Sequence, residues 1–139
     1  AAVRLIPVAT PQEAERLSSV QLRIVAYPGY VFLGQVFAAN IAPRLPEALR
    51  LRNRAETALA PAAHALARES SGVAWLPETM ARFDLASGHL KDLSGTLPSS
   101  LLELIGVRTI RPRSPAHGAA WDRLIGAETG DEGKEKDTP

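Results

Sequence analysis

Histidines, serines and glycines are the residues of this 139-residue sequence that could perform catalysis or hold a metal ion or a phosphate. The three histidines are His64, His89 and His117, and none of them stands at a spacing that suits zinc. No glycine-rich phosphate-binding loop follows a strand, and no serine lies in the GxSxG context that exposes a nucleophile. The sequence therefore predicts no enzyme, no metal site and no cofactor, and each histidine is expected at the surface or at a helix end.

Two stretches have the residue types for ligand binding. In "AYPGYVFL" a strand ends, the chain turns, and a helix begins with free backbone N–H groups, which suit a carboxylate or another anion at the carboxyl edge of a sheet. The second stretch ends an arginine-rich strand, and in a parallel sheet it would lie at the same edge. An ordinary turn and a solvated strand face are the alternatives. The candidate ligand-binding residues are Tyr27, Pro28, Gly29, Tyr30, Val31, Asn53 and Arg54.

The elements that must position these residues alternate along the chain. "AVRLIPVAT" is typical of a strand, and Pro7 places it at an edge or at a crossing between parts of the fold. Thr10 and Pro11 are a helix-start signal for a helix over residues 11 to 17. "VQLRIVAY" predicts a second strand, and the apolar spacing over residues 30 to 41 predicts an amphipathic helix.

The second half of the pattern repeats this order. "EALRLRNR" alternates leucines with arginines, which predicts a half-buried strand with an arginine-rich face. "ETALAPAAHALARESSG" predicts a helix that begins near Ala60, with Leu59, Ala63 and Leu66 pointing inward. "VAWLP" is a short apolar run, as expected for a strand covered on both faces. The alternation predicts an α/β fold with a mainly parallel sheet flanked by helices.

Composition narrows the class of protein. The sequence is 45% hydrophobic and 22% charged, which is typical of a globular domain. It contains no run of about 18 apolar residues that could cross a membrane and no cysteine, so a cytoplasmic setting is permitted. Thirteen arginines could favour an anionic ligand, but no nucleic-acid-binding motif accompanies them. Residues 126–139 carry a net charge of −3 and are expected to be a disordered acidic tail.

The stretch "GVAWLPETMARFDLASGHL" resembles a motif of the effector-binding domain of LysR-type transcriptional regulators, G-[IV]-A-x-L-P-x-x-x-x-x-x-D-[LI]-x-[SA]-G-x-L. The matching residues are Gly72, Val73, Ala74, Leu76, Pro77, Asp84, Leu85, Ser87, Gly88 and Leu90. The order of elements over about residues 3 to 125 is similar as well. Trp75 and the "GYVFLG" turn resemble a branch that includes a hypochlorite-responsive regulator, although Met80 is the only methionine available for an oxidation switch.

The resemblance implies a type 2 periplasmic-binding-protein-like architecture with two Rossmann-like subdomains. Residues 1–93 would form effector-binding subdomain II, and residues 94–125 would supply a returning strand, at 101 to 110, and a closing helix of subdomain I. It also implies that the chain is a piece of a longer regulator that holds about half of the effector cleft. Tyr27 to Val31, with Asn53 and Arg54, would form the wall of that cleft.

The function implied by the resemblance is the sensing of a small polar or anionic effector, which modulates transcription. Such a protein would be cytoplasmic and a homo-oligomer, and it would reach promoter DNA only through a DNA-binding domain absent from this chain. It would have no membrane partner. A solute-binding module of a transport system with the same fold is the alternative from another functional class.

Overall fold

A computed structural model describes residues 2–103 of the protein, which form an α/β fold. The strands are β1 (Ala2–Ala9), β2 (Gln21–Ala26), β3 (Arg50–Glu56), β4 (Ala74–Pro77), β5 (Lys91–Asp92) and β6 (Ser100–Glu103). The helices are α1 (Pro11–Glu15), α2 (Phe32–Val36), α3 (Ala60–Arg68) and α4 (Glu78–Ser87). A π-helical turn (Phe37–Ile41) and a 3-10 turn (Ala42–Arg44) continue α2. The predicted alternation of strands and helices is thus confirmed from β1 to β4, whereas β5 was not predicted and β6 coincides only with the start of the predicted strand at 101 to 110. The rest of that strand, His117, the closing helix and the acidic tail lie outside the described residues.

The described strands form a four-stranded antiparallel sheet and a two-stranded parallel sheet, rather than one mainly parallel sheet. β2 pairs with β3 in parallel, and Val73, directly before β4, forms a parallel bridge with Ile24 of β2. β1 instead pairs antiparallel with β4, β5 and β6. The predicted parallel arrangement is therefore confirmed only in part. Alternation of strands and helices does not fix the direction of β1, because its partner β4 is remote in the sequence and β2 is not its neighbour.

Pro7 lies in the interior of the four-stranded sheet, so of the two predicted positions, an edge or a crossing between parts of the fold, the edge is wrong. On one side Pro7 faces Trp75 of β4, and on the other its carbonyl accepts a hydrogen bond from the Leu93 amide at 2.8 Å. The missing N–H of a proline is tolerated where the neighbouring strand is interrupted. Here β6 covers β1 only as far as Leu5 and β5 begins opposite Val8, so Pro7 falls in the gap between them.

The core lies on both faces of the sheet. Leu5 and Trp75 pack on one face, and Ile6 and Leu76 pack on the other beneath α3 and α4. Successive residues of a strand point to opposite faces, so β1 and β4 supply both clusters. The prediction that "VAWLP" is covered on both faces is confirmed.

β3 is more exposed than its sequence pattern predicts. Arg50 to Arg54 are all exposed, so the strand is not half-buried, and Leu51 is among the exposed side chains. The reason is position: among residues 2–103, β3 pairs only with β2, and no described helix covers it. A β-bulge opposite Ile24 and Val25 leaves Arg54 without a partner in the strand register.

The segment that carries the motif folds largely as its sequence indicates. α3 begins at Ala60, as predicted, with Pro61 in its first turn, but Leu59 precedes the helix and is exposed rather than inward. Ala63 is buried and Leu66 is partly buried against the same cluster. Gly88 ends α4 with a φ of 82°, the left-handed conformation that glycine adopts readily. None of the helices described at residues 2–103 is long and apolar enough to cross a bilayer.

The predicted boundaries between subdomain II at residues 1–93 and subdomain I at residues 94–125 stay a prediction. The described residues 2–103 belong to one compact unit, and β6 is part of it through its pairing with β1. β1 and β6 together therefore form a two-stranded ribbon at this end of the described sheet.

Candidate functional site

A pocket with a cavity volume of about 210 Å³ lies beside the carboxyl half of β2. β2, β3 and β4 form its floor, and the π-helical turn after α2 closes one side. The lining residues are Ile24, Val25, Ala26, Tyr27, Phe37, Leu51, Asn53 and Trp75. The sheet thus brings together residues from four separate elements, as expected for a ligand site at the end of α/β strands.

Trp75 of β4 forms the rigid wall of the pocket. Its side chain is only 1% exposed, and its ring packs edge-to-face on Phe37 with centroids 5.1 Å apart and planes at 71°. The indole Nε1–H donates to the carbonyl of Pro98 at 2.9 Å, so the ring is fixed by packing and by a hydrogen bond. The Trp75 ring is therefore held in place before any ligand binds.

Tyr27 directly follows β2 and contributes a further aromatic ring to the lining. Its hydroxyl donates to the Trp75 carbonyl at 2.7 Å, which ties the end of β2 to β4. Burial raises the pKa of the Tyr27 hydroxyl above its usual range, because the phenolate would lose its hydration. The hydroxyl therefore stays protonated and donates its hydrogen bond to the Trp75 carbonyl throughout the physiological pH range.

The turn after Tyr27 is compact because Gly34 packs directly against it. A Cβ atom at Gly34 would lie 1.9 Å from the Pro28 carbonyl oxygen, so only glycine allows α2 to approach the turn this closely. The Val31 amide donates to the same carbonyl at 3.2 Å. This contact sets where α2 begins, and therefore where the following π-helical turn presents Phe37 to the pocket.

The π-helical turn at Phe37–Ile41 is the irregular element of the site. π-Helical turns inside α-helices are rare and frequently occur at functional sites. Phe37, its first residue, faces the pocket, whereas Asn40 donates to Ser100 Oγ at 3.2 Å on the opposite side. The turn therefore connects the pocket to the start of β6.

The structure brings two of the seven sequence-predicted site residues into this pocket. Tyr27 and Asn53 line it together. The others lie outside the lining, Tyr30 being 80% exposed beyond the turn and Arg54 occupying the exposed bulge of β3. Pro28, Gly29 and Val31 form the turn itself, where Gly29 is exposed and the other two are half-buried. Participation of all seven residues in binding stays a prediction.

The charge of the pocket bears on the expectation of an anionic effector. All of its lining residues are uncharged, and α2 is only five residues long before the π-helical turn begins. An anion placed here would lose hydration without meeting a cation among the described lining residues. The lining therefore favours a neutral polar ligand over an anionic one.

Trp75 and Phe37 are the functional candidates that sequence reasoning missed. Trp75 falls at an unspecified position of the motif, and Phe37 was assigned only to the apolar face of a helix. A signal did exist, because a tryptophan in a four-residue buried strand must have its N–H satisfied by a neighbour. Its partner Pro98 lies 23 residues away, so the sequence alone could not identify the contact.

A second polar cluster surrounds Asp84 of α4, the aspartate of the motif. Its side chain is buried, and it accepts a hydrogen bond from Nε2 of His64 on α3. Arg68 Nε lies 3.7 Å from the same carboxylate and His89 Nδ1 lies 4.0 Å from it. No group of residues among positions 2–103 has the geometry of a metal site. The cluster joins α3 to α4, which explains an aspartate in an otherwise apolar pattern.

Replacing Asp84 by alanine is expected to lower the free energy of unfolding by about 2 kcal/mol, because a charge-assisted hydrogen bond between two helices is lost. Urea denaturation followed by far-ultraviolet circular dichroism measures the change. Arg82→Ala is the matched control, since Arg82 is an exposed residue of the same helix. Equal effects of the two substitutions would contradict a structural role for the Asp84 cluster.

The described residues have the fold of the regulatory domain of LysR-type transcriptional regulators. Solved structures of several such proteins are similar to the chain at identities below 25%, a level that establishes the fold alone. The resemblance suggested by the motif is thus confirmed at the level of the fold. No family model matches the sequence, and no curated protein matches it significantly.

Three of these structures illustrate the similarity. The bromide-ion-bound regulatory domain of HypT from Salmonella typhimurium has 18% identity and a TM-score of 0.71, over 94% of this chain and 63% of that one. Full-length HypT, described as a hypochlorite-specific LysR-type transcriptional regulator, has 18% identity and a TM-score of 0.70, over 94% and 45%. LysG from Corynebacterium glutamicum, with its effector Arg bound, has 16% identity and a TM-score of 0.52, over 78% and 40%. The chain therefore spans less than two thirds of each of these proteins.

Proposed function

We propose that this chain is the effector-sensing part of a LysR-type transcriptional regulator and that it binds a small polar molecule in the pocket beside β2. The observation that carries the proposal is the position of the pocket. It lies at the carboxyl half of β2, where α/β proteins commonly bind ligands, in a chain with the fold of LysR regulatory domains. The similar structures are named as transcriptional regulators, which supports a non-enzymatic role.

The pocket has the properties of a preformed recognition site. Trp75 and Tyr27 are immobilised by hydrogen bonds to backbone carbonyls, so a ligand would not have to order them. Asn53 adds a polar amide on an exposed strand. A small polar molecule would gain apolar contacts from the rings and orientation from the amide, which is the usual division of roles in a small-molecule site.

Regulation would follow from a population shift. A ligand that contacts this wall and a facing subdomain favours the closed arrangement of the two, and it changes the population of states only by the difference in its affinity for them. Closure would alter the geometry of a homo-oligomer and hence the binding of promoter DNA through a separate DNA-binding domain. The subdomain pairing, the oligomer and the DNA contact are all parts of the proposal.

Asn53→Ala in the chromosomal gene is expected to change transcription from the promoters that the regulator occupies. Coupling energies of 1–3 kcal/mol correspond to changes of about fivefold or more, so transcripts should shift by at least that factor. Chromatin immunoprecipitation identifies the occupied promoters, and quantitative transcript analysis measures the response.

Arg52→Ala is the matched control for this experiment. Arg52 is an exposed neighbour on the same strand and does not line the pocket, so transcripts should stay as in the unaltered strain. Arg54→Ala tests the remaining sequence-predicted cation at the end of β3. Absence of any promoter occupancy would reject the regulatory function, and equal effects of Asn53→Ala and Arg52→Ala would reject the site.

A further inference from the structure

The polar side chains that line the pocket already make hydrogen bonds within the protein, with the exception of Asn53. The Tyr27 hydroxyl donates to the Trp75 carbonyl, and the Trp75 indole donates to the Pro98 carbonyl. Among the lining residues, the Asn53 side chain makes no hydrogen bond to any of residues 2–103. A side-chain amide offers two donors and one acceptor oxygen. Asn53 is therefore the polar group that remains for a ligand.

The rest of the lining presents apolar and aromatic surface. The edge-to-face arrangement of Phe37 and Trp75 forms an aromatic corner, a geometry in which aromatic rings attract one another. Ile24 and Leu51 complete the apolar surface. Trp75 is only 1% exposed, so the surface that a ligand can reach belongs mainly to Phe37 and Leu51. A flat ring suits this surface, because it can pack edge-to-face or offset-stacked on Phe37 and keep contact with Leu51.

The size of the cavity limits the ring system. The cavity volume is about 210 Å³. A buried apolar cavity of about 150 Å³ binds benzene, so the present volume suits one six-membered ring with a small substituent. A fused ring system with a side chain would extend out of the pocket.

We infer that the pocket takes a neutral compound with a single aromatic ring and an amide or hydroxyl substituent, with the ring against Phe37 and Leu51 beside the buried Trp75 and the substituent paired with the Asn53 amide. This inference deepens the proposed function and rests on it for the identity of the site. None of the described lining residues is charged, so an anion held against this wall would lose hydration without meeting a cation of the lining, which favours a neutral ligand.

Trp75 makes the test direct because it is one of only two tryptophans in the sequence. The 139-residue chain carrying Trp121→Phe retains Trp75 as its single tryptophan. Fluorescence is then titrated with benzamide, with benzoate as the charged analogue and with cyclohexanecarboxamide as the non-aromatic analogue. We expect benzamide to change the Trp75 emission and to bind about tenfold or more tightly than either analogue, a difference of about 1.4 kcal/mol.

Variants of β3 locate the substituent. Asn53→Ala should weaken benzamide binding about fivefold, the loss expected for one neutral hydrogen bond, whereas Arg52→Ala should leave it unchanged. Saturation-transfer NMR with the same three probes on the unaltered chain provides a second measurement that does not depend on Trp121→Phe. Benzamide binding that is insensitive to Asn53→Ala would overturn the assignment of the substituent.

The experiments distinguish failure of the aromatic-ring inference from failure of the proposed regulatory function. Benzoate or cyclohexanecarboxamide binding as tightly as benzamide would overturn the inference, as would the absence of benzamide binding at millimolar concentration to a folded chain. Ring binding without any promoter occupancy would support the pocket chemistry and reject the regulatory function. A transcriptional response that requires Asn53, in a chain that does not bind the aromatic probe, would support the function and reject the ring.

Discussion

Replacing Trp75 by alanine is expected to lower the free energy of unfolding by about 3–5 kcal/mol, the range for truncating a large buried aromatic side chain. Trp75 is only 1% exposed and belongs to the core cluster that includes Leu5 and Ile41. Truncation also leaves the Pro98 carbonyl without its donor. Small domains are stable by about 5–15 kcal/mol, so this single change removes a large fraction of the total. Urea denaturation followed by far-ultraviolet circular dichroism gives the value.

Trp75→Phe separates the packing of the ring from its hydrogen bond. Phenylalanine keeps an aromatic ring against Phe37 but has no donor for Pro98, so a smaller loss of about 1–2 kcal/mol is expected. A loss below about 1 kcal/mol for Trp75→Ala would be typical of an exposed position, and it would contradict the burial of this side chain.

The elements of the fold were largely readable from local sequence signals. Thr10 followed by Pro11 marked the start of α1, and the structure has Thr10 as the N-cap, its Oγ1 accepting from the Glu13 amide at 3.2 Å. Pro61 likewise marked the start of α3, which begins at Ala60 with this proline in its first turn, as predicted. Such signals depend on a few neighbouring residues, which is why a single sequence contains them.

Strand environment was less readable, because it depends on neighbours that are remote in the sequence. The alternation of leucines and arginines in β3 predicts one buried face, yet burial requires an element to cover that face, and none of the described helices does so. Pro7 is tolerated inside the sheet because β5 and β6 happen to leave a gap beside it. Neither the exposure of β3 nor the tolerance of Pro7 can be predicted from the residues adjacent in the sequence.

The residues of the candidate site show the same difference between local sequence signals and remote contacts. Tyr27 and Asn53 were predicted because the sequence placed both at strand ends. β3 in fact continues to Glu56, so Asn53 lies in mid-strand, and the parallel pairing of β2 with β3 brings the two residues to the same pocket. Trp75 and Phe37 enter the same pocket through β4 and through a π-helical turn that the apolar spacing did not predict. The aromatic character of the pocket, on which the proposal of a neutral ligand rests, therefore required the tertiary structure.

Gly34→Ala is expected to destabilise the protein by about 3 kcal/mol, the upper part of the range for overpacking a rigid site. The new Cβ atom would lie 1.9 Å from the Pro28 carbonyl oxygen, and a backbone atom cannot rotate away as a flexible side chain can. Helix propensity alone predicts the opposite sign, because alanine is favoured over glycine in a helix by about 1 kcal/mol. The sign of the change in unfolding free energy thus decides between local propensity and tertiary contact.

Gly29→Ala is the matched control, since a Cβ atom at Gly29 would meet nothing within 4 Å. That substitution should leave the urea midpoint nearly unchanged. To relieve the overlap in Gly34→Ala, α2 must move away from the turn, and the π-helical turn that carries Phe37 continues directly from α2. Phe37 would then shift relative to Trp75, so benzamide binding should weaken in Gly34→Ala under conditions where the chain is still folded. Normal stability and normal probe binding in Gly34→Ala would mean that α2 does not rest on Pro28 and does not position the pocket wall.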